Sequence, residues 1–155
     1  AYIVARNHHC IYKSEYDDNT KTLLSPTLFC GQVYQYGYED ASQTSARFNR
    51  LEQGVFVKNL AYEKAGKKDI YDFYICDQQN HAIRKITPDG MVTTFAGRGG
   101  AGIGEVWGDN EGDLRKEARF NQPTGLAFNE ETRTFYIMDR NNYKIKQIVL
   151  ENEQE

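Results

Sequence analysis

Short hydrophobic runs separated by polar turns occupy most of the chain, and the pattern contains no long amphipathic helix. Between residues 54 and 97 the runs GVFVKNLAY, IYDFYICD, AIRKI and MVTTFA follow one another, with a Thr-Pro-Asp-Gly turn before the last run. Branched and aromatic side chains favour pleated strands, and Pro-Asp-Gly favours a tight turn. The segment therefore predicts a four-stranded antiparallel meander.

This pattern recurs along the chain. YIVARNHHCIYKS begins at Tyr2, YICDQQNHAIRKI at Tyr74 and YIMDRNNYKIKQI at Tyr136. A second pair, SARFNRLEQGVFV from Ser45 and EARFNQPTGLAF from Glu117, has the same spacing as the first two copies. Repeats of this length are typical of architectures in which neighbouring units bury each other's faces.

The repeats give a strand plan for the whole chain, with the strands of each unit lettered a to d. We expect strands b, c and d of one unit in residues 1–31, a complete unit in 54–97, and strands a, b and c of another in 123–150. The runs FYIC and FYIM are apolar at every position, which is typical of strands covered on both faces. Phe48 and Phe120 are predicted to be core wedges between units.

Composition and charge narrow the class of protein. The chain has 155 residues, 39% hydrophobic and 13% aromatic, which is enough for one globular domain with a core. Its formal charge of −3 provides no basic field, so no nucleic-acid partner is expected. No run approaches the ~18 apolar residues of a membrane span, and none is predicted. The three cysteines are too few for a disulfide scaffold and do not fix the redox compartment.

The repeat unit resembles a known family. Residues 77–86 (DQQNHAIRKI), 87–90 (TPDG), 92–97 (VTTFAG) and 118–127 (ARFNQPTGLA) are similar to the NHL repeat, and degenerate copies extend the resemblance through nearly the whole chain. The first copy departs from the motif with Ala5 in place of Asp, and the third has Asn142-Tyr143 in place of Asn-His. Those two units are expected to keep the fold without the same turn chemistry.

The resemblance implies an all-β fold, a β-propeller of NHL type that is commonly six-bladed when complete. Ten strands amount to about two and a half blades, so the remainder of the propeller is an expected partner. The strand-like start at Ala1 suggests residues upstream, and the acidic ENEQE resembles a natural chain end. The connector before EARFNQPTG is similar to those of bacterial secreted or surface proteins in which an immunoglobulin-like IPT/TIG domain precedes the propeller. That likeness implies an extracytoplasmic location, in the periplasm or at the cell surface.

The glycine-rich segment GRGGAGIG (97–104) invites comparison with phosphate-binding loops. A dinucleotide loop requires a helix at its last glycine, and a P-loop requires a terminal Gly-Lys-Ser or Gly-Lys-Thr. Neither is present, and the corresponding segment of the previous copy, GQVYQYG, has no such character. We expect a surface connector between blades and no cofactor.

Histidines and acids recur at the motif positions. His8, His9 and Cys10 are adjacent, but neighbouring strand residues point to opposite faces and cannot converge on one ion, so no metal site is predicted. Asn80 and His81 are expected to satisfy backbone groups in the turn between strands b and c. Asp77 and Asp139 are expected to cap turns rather than to act as paired catalytic carboxylates, and no catalytic residue is assigned.

The long connectors from strand d to the next strand a carry large aromatic residues, where core burial is not expected. Such residues mark a binding surface or pin the loop, and the sequence leaves both open. In a meander the d–a connectors and the b–c turns emerge on one face. The candidate ligand-binding residues of that face are Trp107, Tyr34, Tyr36, Tyr38, Asp77, His81 and Asp139.

These features predict a non-catalytic binding or scaffolding propeller whose ligand is a glycan or a protein. Aromatic faces with nearby acceptors suit sugars or peptide segments better than phosphates. The alternative is a hydrolase or lyase with a metal or active site in the propeller channel, since some propellers of this type are similar to metal-holding lyases.

Two further pairs of residues carry expectations about packing. Cys10 and Cys30 align with Ala82 and Ala96 of the next copy, so we expect the two cysteines opposite each other on strands c and d. Whether they form a disulfide stays open. Arg47 and Arg119 recur in the ARFN blocks, which favours a structural ion pair over a binding role.

Overall fold

Three antiparallel blades and one small hairpin are present in residues 1–100 and 106–151, which this computed structural model describes. In chain order the elements are β1 (Tyr2–Ala5), β2 (Cys10–Lys13), β3 (Tyr16–Asp17), β4 (Thr22–Leu23), β5 (Thr27–Gly31), β6 (Leu51–Lys58), α1 (Leu60–Lys64), β7 (Tyr71–Asp77), β8 (Ala82–Ile86), β9 (Val92–Ala96), β10 (Pro123–Asn129), β11 (Thr134–Asp139) and β12 (Lys144–Val149). Strands β1, β2 and β5 form the first blade, β6 to β9 the middle blade, and β10 to β12 the third.

Every blade strand pairs antiparallel with the next one. In the middle blade Tyr74 lies opposite Val55 on one side and Lys85 on the other. Because the chain reverses at each step, the b–c turns and d–a connectors emerge at one end of the blades, and the a–b loops and c–d turns at the other. We call the first of these ends the connector face and the second the opposite face.

The core lies between the blades. One cluster, including Ile11, Phe48 and Ile75, fills the space between the first and middle blades, and another, including Phe120 and Phe135, fills the space between the middle and third blades. Strand β7 is buried at every position after its first, because blades cover both of its faces. The predictions for FYIC and for the two phenylalanine wedges are confirmed.

The run FYIM in β11 behaves differently from its prediction. Phe135 and Ile137 are buried, whereas Tyr136 and Met138 are exposed. Ile145 and Val149 of β12 are exposed on the same side of the sheet. Apolarity at every position indicated two covered faces, but within the described residues only the face toward the middle blade is covered.

Two local elements are not in the predicted strand plan. The hairpin β3–β4 lies between β2 and β5, where Asp17 Oδ1 accepts the Asn19 N–H at 2.8 Å and Ser14 donates to the Leu24 carbonyl at 2.6 Å. Helix α1 is capped by Asn59, whose side chain accepts the Tyr62 N–H at 3.2 Å. Both elements are too short for a repeating pattern of hydrophobic residues, so the sequence indicates them only through their Asp and Asn residues, which favour turns and caps.

The cysteines are not placed as expected. Strands β2 and β5 do pair, but Cys10 lies opposite Gly31 and Cys30 opposite Ile11, so the two residues are one position out of register. A register shift between Ile11 and Tyr12 separates this pairing from a regular ladder. All three cysteines are buried and free. Burial raises the pKa of the Cys30 thiol to about 12, so it stays protonated at neutral pH.

The glycine-rich segment lies partly outside the described residues. Its first part packs on the preceding connector, since a side chain at Gly99 would overlap the Tyr38 ring. Residues 101–104, which complete the segment, lie outside the described residues. Among the helices that the structure describes, none is long and apolar enough to cross a membrane.

Candidate ligand-binding face

The connector face is built where two kinds of loop meet. The b–c turn of each blade is a short 3-10 turn that ends in a residue of left-handed conformation: His9, His81 and Tyr143, with φ of 58°, 53° and 55°. The d–a connectors run beside these turns. The Tyr34 N–H donates to the His8 carbonyl at 3.1 Å, which holds the first connector against the first b–c turn.

An asparagine in each later turn fixes the connector from the previous blade. Asn80 Nδ2 donates to the Gly37 carbonyl at 2.7 Å, and Asn142 Nδ2 donates to the Gly108 carbonyl at 2.6 Å. Both glycines lie close to an arginine, because a side chain at either would meet an arginine Cβ at 3.2 Å, a tight contact. The two connectors therefore have the same anchor at equivalent positions.

Asp77 lies at the centre of the middle-blade anchor and is fully buried. Its carboxylate accepts the Asn49 N–H at 2.8 Å, Asn80 Nδ2 at 2.7 Å and Arg84 Nη1 at 2.8 Å. Complete burial raises the pKa of the Asp77 carboxyl, and the Arg84 guanidinium and the hydrogen bonds oppose that rise. These partners leave Asp77 no accessible oxygen for a ligand.

Arg84 extends this network into the connector. Besides Asp77, its guanidinium donates to Asp40 Oδ1 at 2.7 Å and to the Glu39 carbonyl at 2.8 Å. The guanidinium also lies near two aromatic rings, 4.8 Å from the centroid of Tyr38 and 5.1 Å from that of Phe48. The arginine is fully buried and joins strand, turn and connector into one unit.

The third blade repeats this arrangement with a lysine. Asp139 is fully buried and accepts the Asn121 N–H at 2.7 Å and Asn142 Nδ2 at 2.7 Å. Lys146 Nζ lies 2.9 Å from Asp139 and 2.9 Å from Asp109. Asp77 and Asp139 thus accept hydrogen bonds within and beside the b–c turns, as expected for turn-capping residues. Both lie buried beneath the connector face.

His81 has a structural task in the described chain. Its Nδ1 accepts the Gln122 N–H at 3.1 Å, and His9 Nδ1 accepts the Arg50 N–H at 3.0 Å, so each histidine fixes the start of the following blade. Burial lowers the pKa of His81, which keeps the imidazole neutral and its nitrogen free to accept. Tyr143, in the third copy, has no equivalent nitrogen.

Acidification is expected to weaken the propeller through these histidines. Burial lowers the pKa of His9 as well as that of His81, so the unfolded chain takes up protons before the folded chain does. The histidine contribution is then complete above about pH 6.5 and is lost as the pH falls below that value. Urea unfolding of the intact protein at about pH 7.5 and about pH 5.5 should show lower stability in acid.

A His81→Gln variant supplies the control, because it should lose less stability than the parent over the same interval. Greater stability of the parent protein in acid would contradict this assignment.

The expected ion pairs of Arg47 and Arg119 are not formed. Arg47 Nη1 donates to the Thr44 and Ala46 carbonyls at 2.7 and 2.8 Å, and Arg119 donates to the Ala118 carbonyl at 2.8 Å. Among the described residues, neither arginine has a carboxylate within ion-pair distance. Both are structural, but they cap their own loops, because the connector folds its carbonyl oxygens toward the guanidinium.

Tyr36 and Trp107 are the aromatic residues that the two anchors present. Each directly precedes an anchored glycine, and the two residues are 70% and 59% exposed. The Tyr36 ring also meets the His9 ring edge-on, with centroids 5.7 Å apart. Their backbones are fixed while their rings remain open to solvent.

The other connector tyrosines differ from one another. Tyr34 is 71% exposed and its ring lies 4.6 Å from that of His8. Tyr38 instead pins its loop, since its hydroxyl lies 2.6 Å from Thr94 Oγ1 and its ring covers Arg84. Tyr143, which is 95% exposed in the third b–c turn, also belongs to this face, and the sequence-based prediction did not include it. The sequence indicates it only in that Tyr143 replaces the histidine of the motif's Asn-His pair.

Metal-ligating side chains do not converge in the part of the chain that the structure describes: residues 1–100 and 106–151 contain no group of three or more His, Cys, Asp or Glu placed to hold an ion. The histidines of the face are engaged with backbone N–H groups instead. The described face thus presents exposed aromatic rings beside turns whose polar groups are held by hydrogen bonds.

Solved structures with the same fold cover nearly the whole chain. An auxiliary nutrient binding protein from Bacteroides thetaiotaomicron is 49% identical, with a TM-score of 0.86 over 94% of this chain and 33% of that chain. One from Bacteroides ovatus is 43% identical, with a TM-score of 0.88 over 97% and 35% of the two chains. A Bacteroides thetaiotaomicron protein provisionally named a phosphatase is 40% identical, with a TM-score of 0.89 over 99% and 32%.

Curated sequences match more narrowly. NHL repeat-containing protein 2 of Bos taurus is 36% identical over 81 residues, which are 50% of this chain and 10% of that protein. No family model matches the chain. The chain thus spans about a tenth of the curated relatives and about a third of the solved structures. The fold predicted from the repeats is confirmed: the chain has the fold of an NHL-type β-propeller.

Proposed function

We propose that this chain is part of a non-catalytic propeller that binds a glycan or a protein segment on its connector face. The observation that carries the proposal is the repeated presentation of Tyr36 and Trp107, whose rings are exposed while Asn80 and Asn142 hold the adjacent glycines. Exposed aromatic residues on fixed backbone suit recognition, because little conformational entropy is lost when a ligand stacks on them.

The binding residues in this proposal are Trp107, Tyr36 and Tyr34, with Tyr143 added from the structure. Asp77, Asp139, His81 and Tyr38 contribute by holding the turns and connectors in place. Neighbours named auxiliary nutrient binding proteins support a binding role over catalysis. The rings offer flat apolar faces, which match the apolar faces of sugar rings or the side chains of an extended peptide.

Further blades and an extracytoplasmic location belong to the same proposal. The exposed side of the third blade, with Tyr136, Met138, Ile145 and Val149, is apolar enough to pack against another blade. Capture of a nutrient or glycan by the intact protein fits the periplasm or the cell surface. Fractionation of the producing cells, with the intact protein detected by antibody, tests the location.

Replacement of Trp107 by alanine is expected to weaken ligand binding about tenfold or more, because aromatic hot spots often contribute about 2 kcal/mol each. The melting temperature should change little, since the ring is largely exposed. Binding of the intact protein to a panel of immobilised polysaccharides measures the effect, with Tyr62→Ala on α1 as an exposed aromatic control. A large loss of stability with binding intact would show that Trp107 only pins its loop.

A hydrolase with its active site in the propeller channel is the second candidate, favoured by the neighbour provisionally named a phosphatase. The two candidates differ in metal content and turnover. Elemental analysis of the intact protein, together with hydrolysis of p-nitrophenyl phosphate, distinguishes them. Stoichiometric zinc or calcium with turnover would favour the enzyme, and absence of both would favour the binding propeller.

A further inference from the structure

A cavity of about 530 Å³ lies on the opposite face, away from the connector face. It is located where β6 ends at Lys58 and the a–b loop of the middle blade folds over the junction with the third blade. Arg133, from the a–b loop of the third blade, closes it from the other side. Its volume is in the range of small-molecule sites in proteins.

The cavity is lined by more cationic than anionic side chains, in a chain whose formal charge is −3. Its lining contains four cationic side chains, Lys58, Lys64, Lys85 and Arg133, and two carboxylates, Asp72 and Glu151. Two of the cations also have a carboxylate outside the lining: Lys58 Nζ lies 3.4 Å from Glu63, and Arg133 Nη1 lies 3.9 Å from Glu130. A concentration of cations in a partly enclosed site focuses the field and favours anions.

Two buried polar atoms at this site have no hydrogen-bond partner among the described residues: Asp72 Oδ1 and Arg133 Nη1. The other oxygen of Asp72 accepts Asn59 Nδ2 at 2.8 Å and lies 3.5 Å from Lys85 Nζ. Arg133 Nη1 is 3.9 Å from Glu130, beyond hydrogen-bond distance. Unpartnered buried polar atoms are uncommon in folded proteins. Within the described residues the site therefore has one carboxylate oxygen and one guanidinium nitrogen whose hydrogen-bonding capacity is unused.

Part of the cavity wall is aromatic. Tyr74 and Phe95 line the cavity and meet edge-on, with centroids 5.0 Å apart. An aromatic wall of this kind packs against the flat apolar face of a ring or a short carbon chain.

We propose that this cavity binds a small hydroxycarboxylate of the size of a sugar acid. Arg133 and Lys85 hold the carboxylate, a ligand hydroxyl donates to Asp72, and the carbon skeleton lies against Phe95, the more accessible of the two rings. An ammonium group in place of the hydroxyl is disfavoured because the lysines repel it. A phosphate dianion is disfavoured because its second negative charge increases the repulsion from Asp72 beyond that of a single carboxylate.

The site is separate from the connector face, so its failure and that of the proposed function are distinguishable. Trp107→Ala should leave the cavity unchanged, and a change at Arg133 should leave glycan binding on the connector face unchanged.

Isothermal titration of the intact protein with sodium D-glucuronate tests the proposal, with D-glucose and inorganic phosphate as comparison probes. We expect glucuronate to bind at one site per chain, and glucose and phosphate to bind at least about tenfold more weakly, since the loss of one charge-assisted contact has this effect. Arg133→Gln should weaken glucuronate binding about tenfold or more, and Arg133→Lys should restore part of it.

Lys68→Gln is the matched control, because it neutralises an exposed lysine of the middle a–b loop that does not line the cavity. Melting curves establish that each variant is folded. The proposal is overturned if glucuronate does not bind, if glucose or phosphate binds as tightly, or if Lys68→Gln is as damaging as Arg133→Gln.

Discussion

Replacement of Arg84 by methionine is expected to lower the free energy of unfolding by about 3–5 kcal/mol, because it leaves a buried carboxylate without its cation. Asp77 is fully buried, and Arg84 Nη1 lies 2.8 Å from its Oδ2. The same change removes the contacts to Asp40 and to the Glu39 carbonyl that attach the connector. Urea unfolding of the intact protein measures the loss.

Two variants sharpen that experiment. Arg84→Lys should cost less than Arg84→Met, because the third blade holds Asp139 and Asp109 with Lys146 in the equivalent place. Lys68→Met, on the exposed a–b loop, should change stability by no more than about 0.5 kcal/mol. A loss below about 1 kcal/mol for Arg84→Met would contradict the view that this network organises the face.

Replacement of Phe48 by alanine is expected to cost about 3–5 kcal/mol, the usual range for a buried phenylalanine. The residue is fully buried between the first and middle blades, and its ring also lies 5.1 Å from the Arg84 guanidinium. The truncation therefore removes core contact and opens a cavity beneath the anchor. Urea unfolding provides the value here as well.

Tyr62→Ala is the control for Phe48, since it removes an aromatic ring from the surface of α1. It should change stability by no more than about 0.5 kcal/mol. Comparable losses for the two variants would show that Phe48 does not act as a wedge between blades.

The blade strands could be predicted because their signals are local and repeated. A run such as FYIC carries its own hydrophobic pattern, and the TPDG turn specifies the adjacent hairpin. Helix α1 has five residues, less than two turns, so no apolar stripe can repeat along it. Exposure of Tyr136 and Met138 could not be predicted, because an apolar pattern does not show which of its two faces has a neighbour in the same chain.

The site was harder to predict because it depends on contacts between distant residues. Tyr34, Tyr36 and Tyr38 look alike in the sequence, and only the fold places Tyr38 over Arg84. Asp40 reaches Arg84 across 44 residues, a contact that no local pattern reports. Asp77 is buried because the connector folds over it. From the sequence its carboxylate could therefore be either a turn cap or a ligand-binding group.

The most direct test of ligand binding on the connector face uses Trp107, the only tryptophan of the chain. Acrylamide quenching of its fluorescence in the intact protein, with Trp107→Phe to subtract any other tryptophan, is measured with and without a polysaccharide that the protein binds. The proposed function predicts that the bound polysaccharide protects Trp107 from the quencher, because the ligand covers this residue, which is 59% exposed in the free protein. Saturating polysaccharide that leaves the quenching of Trp107 unchanged would contradict it.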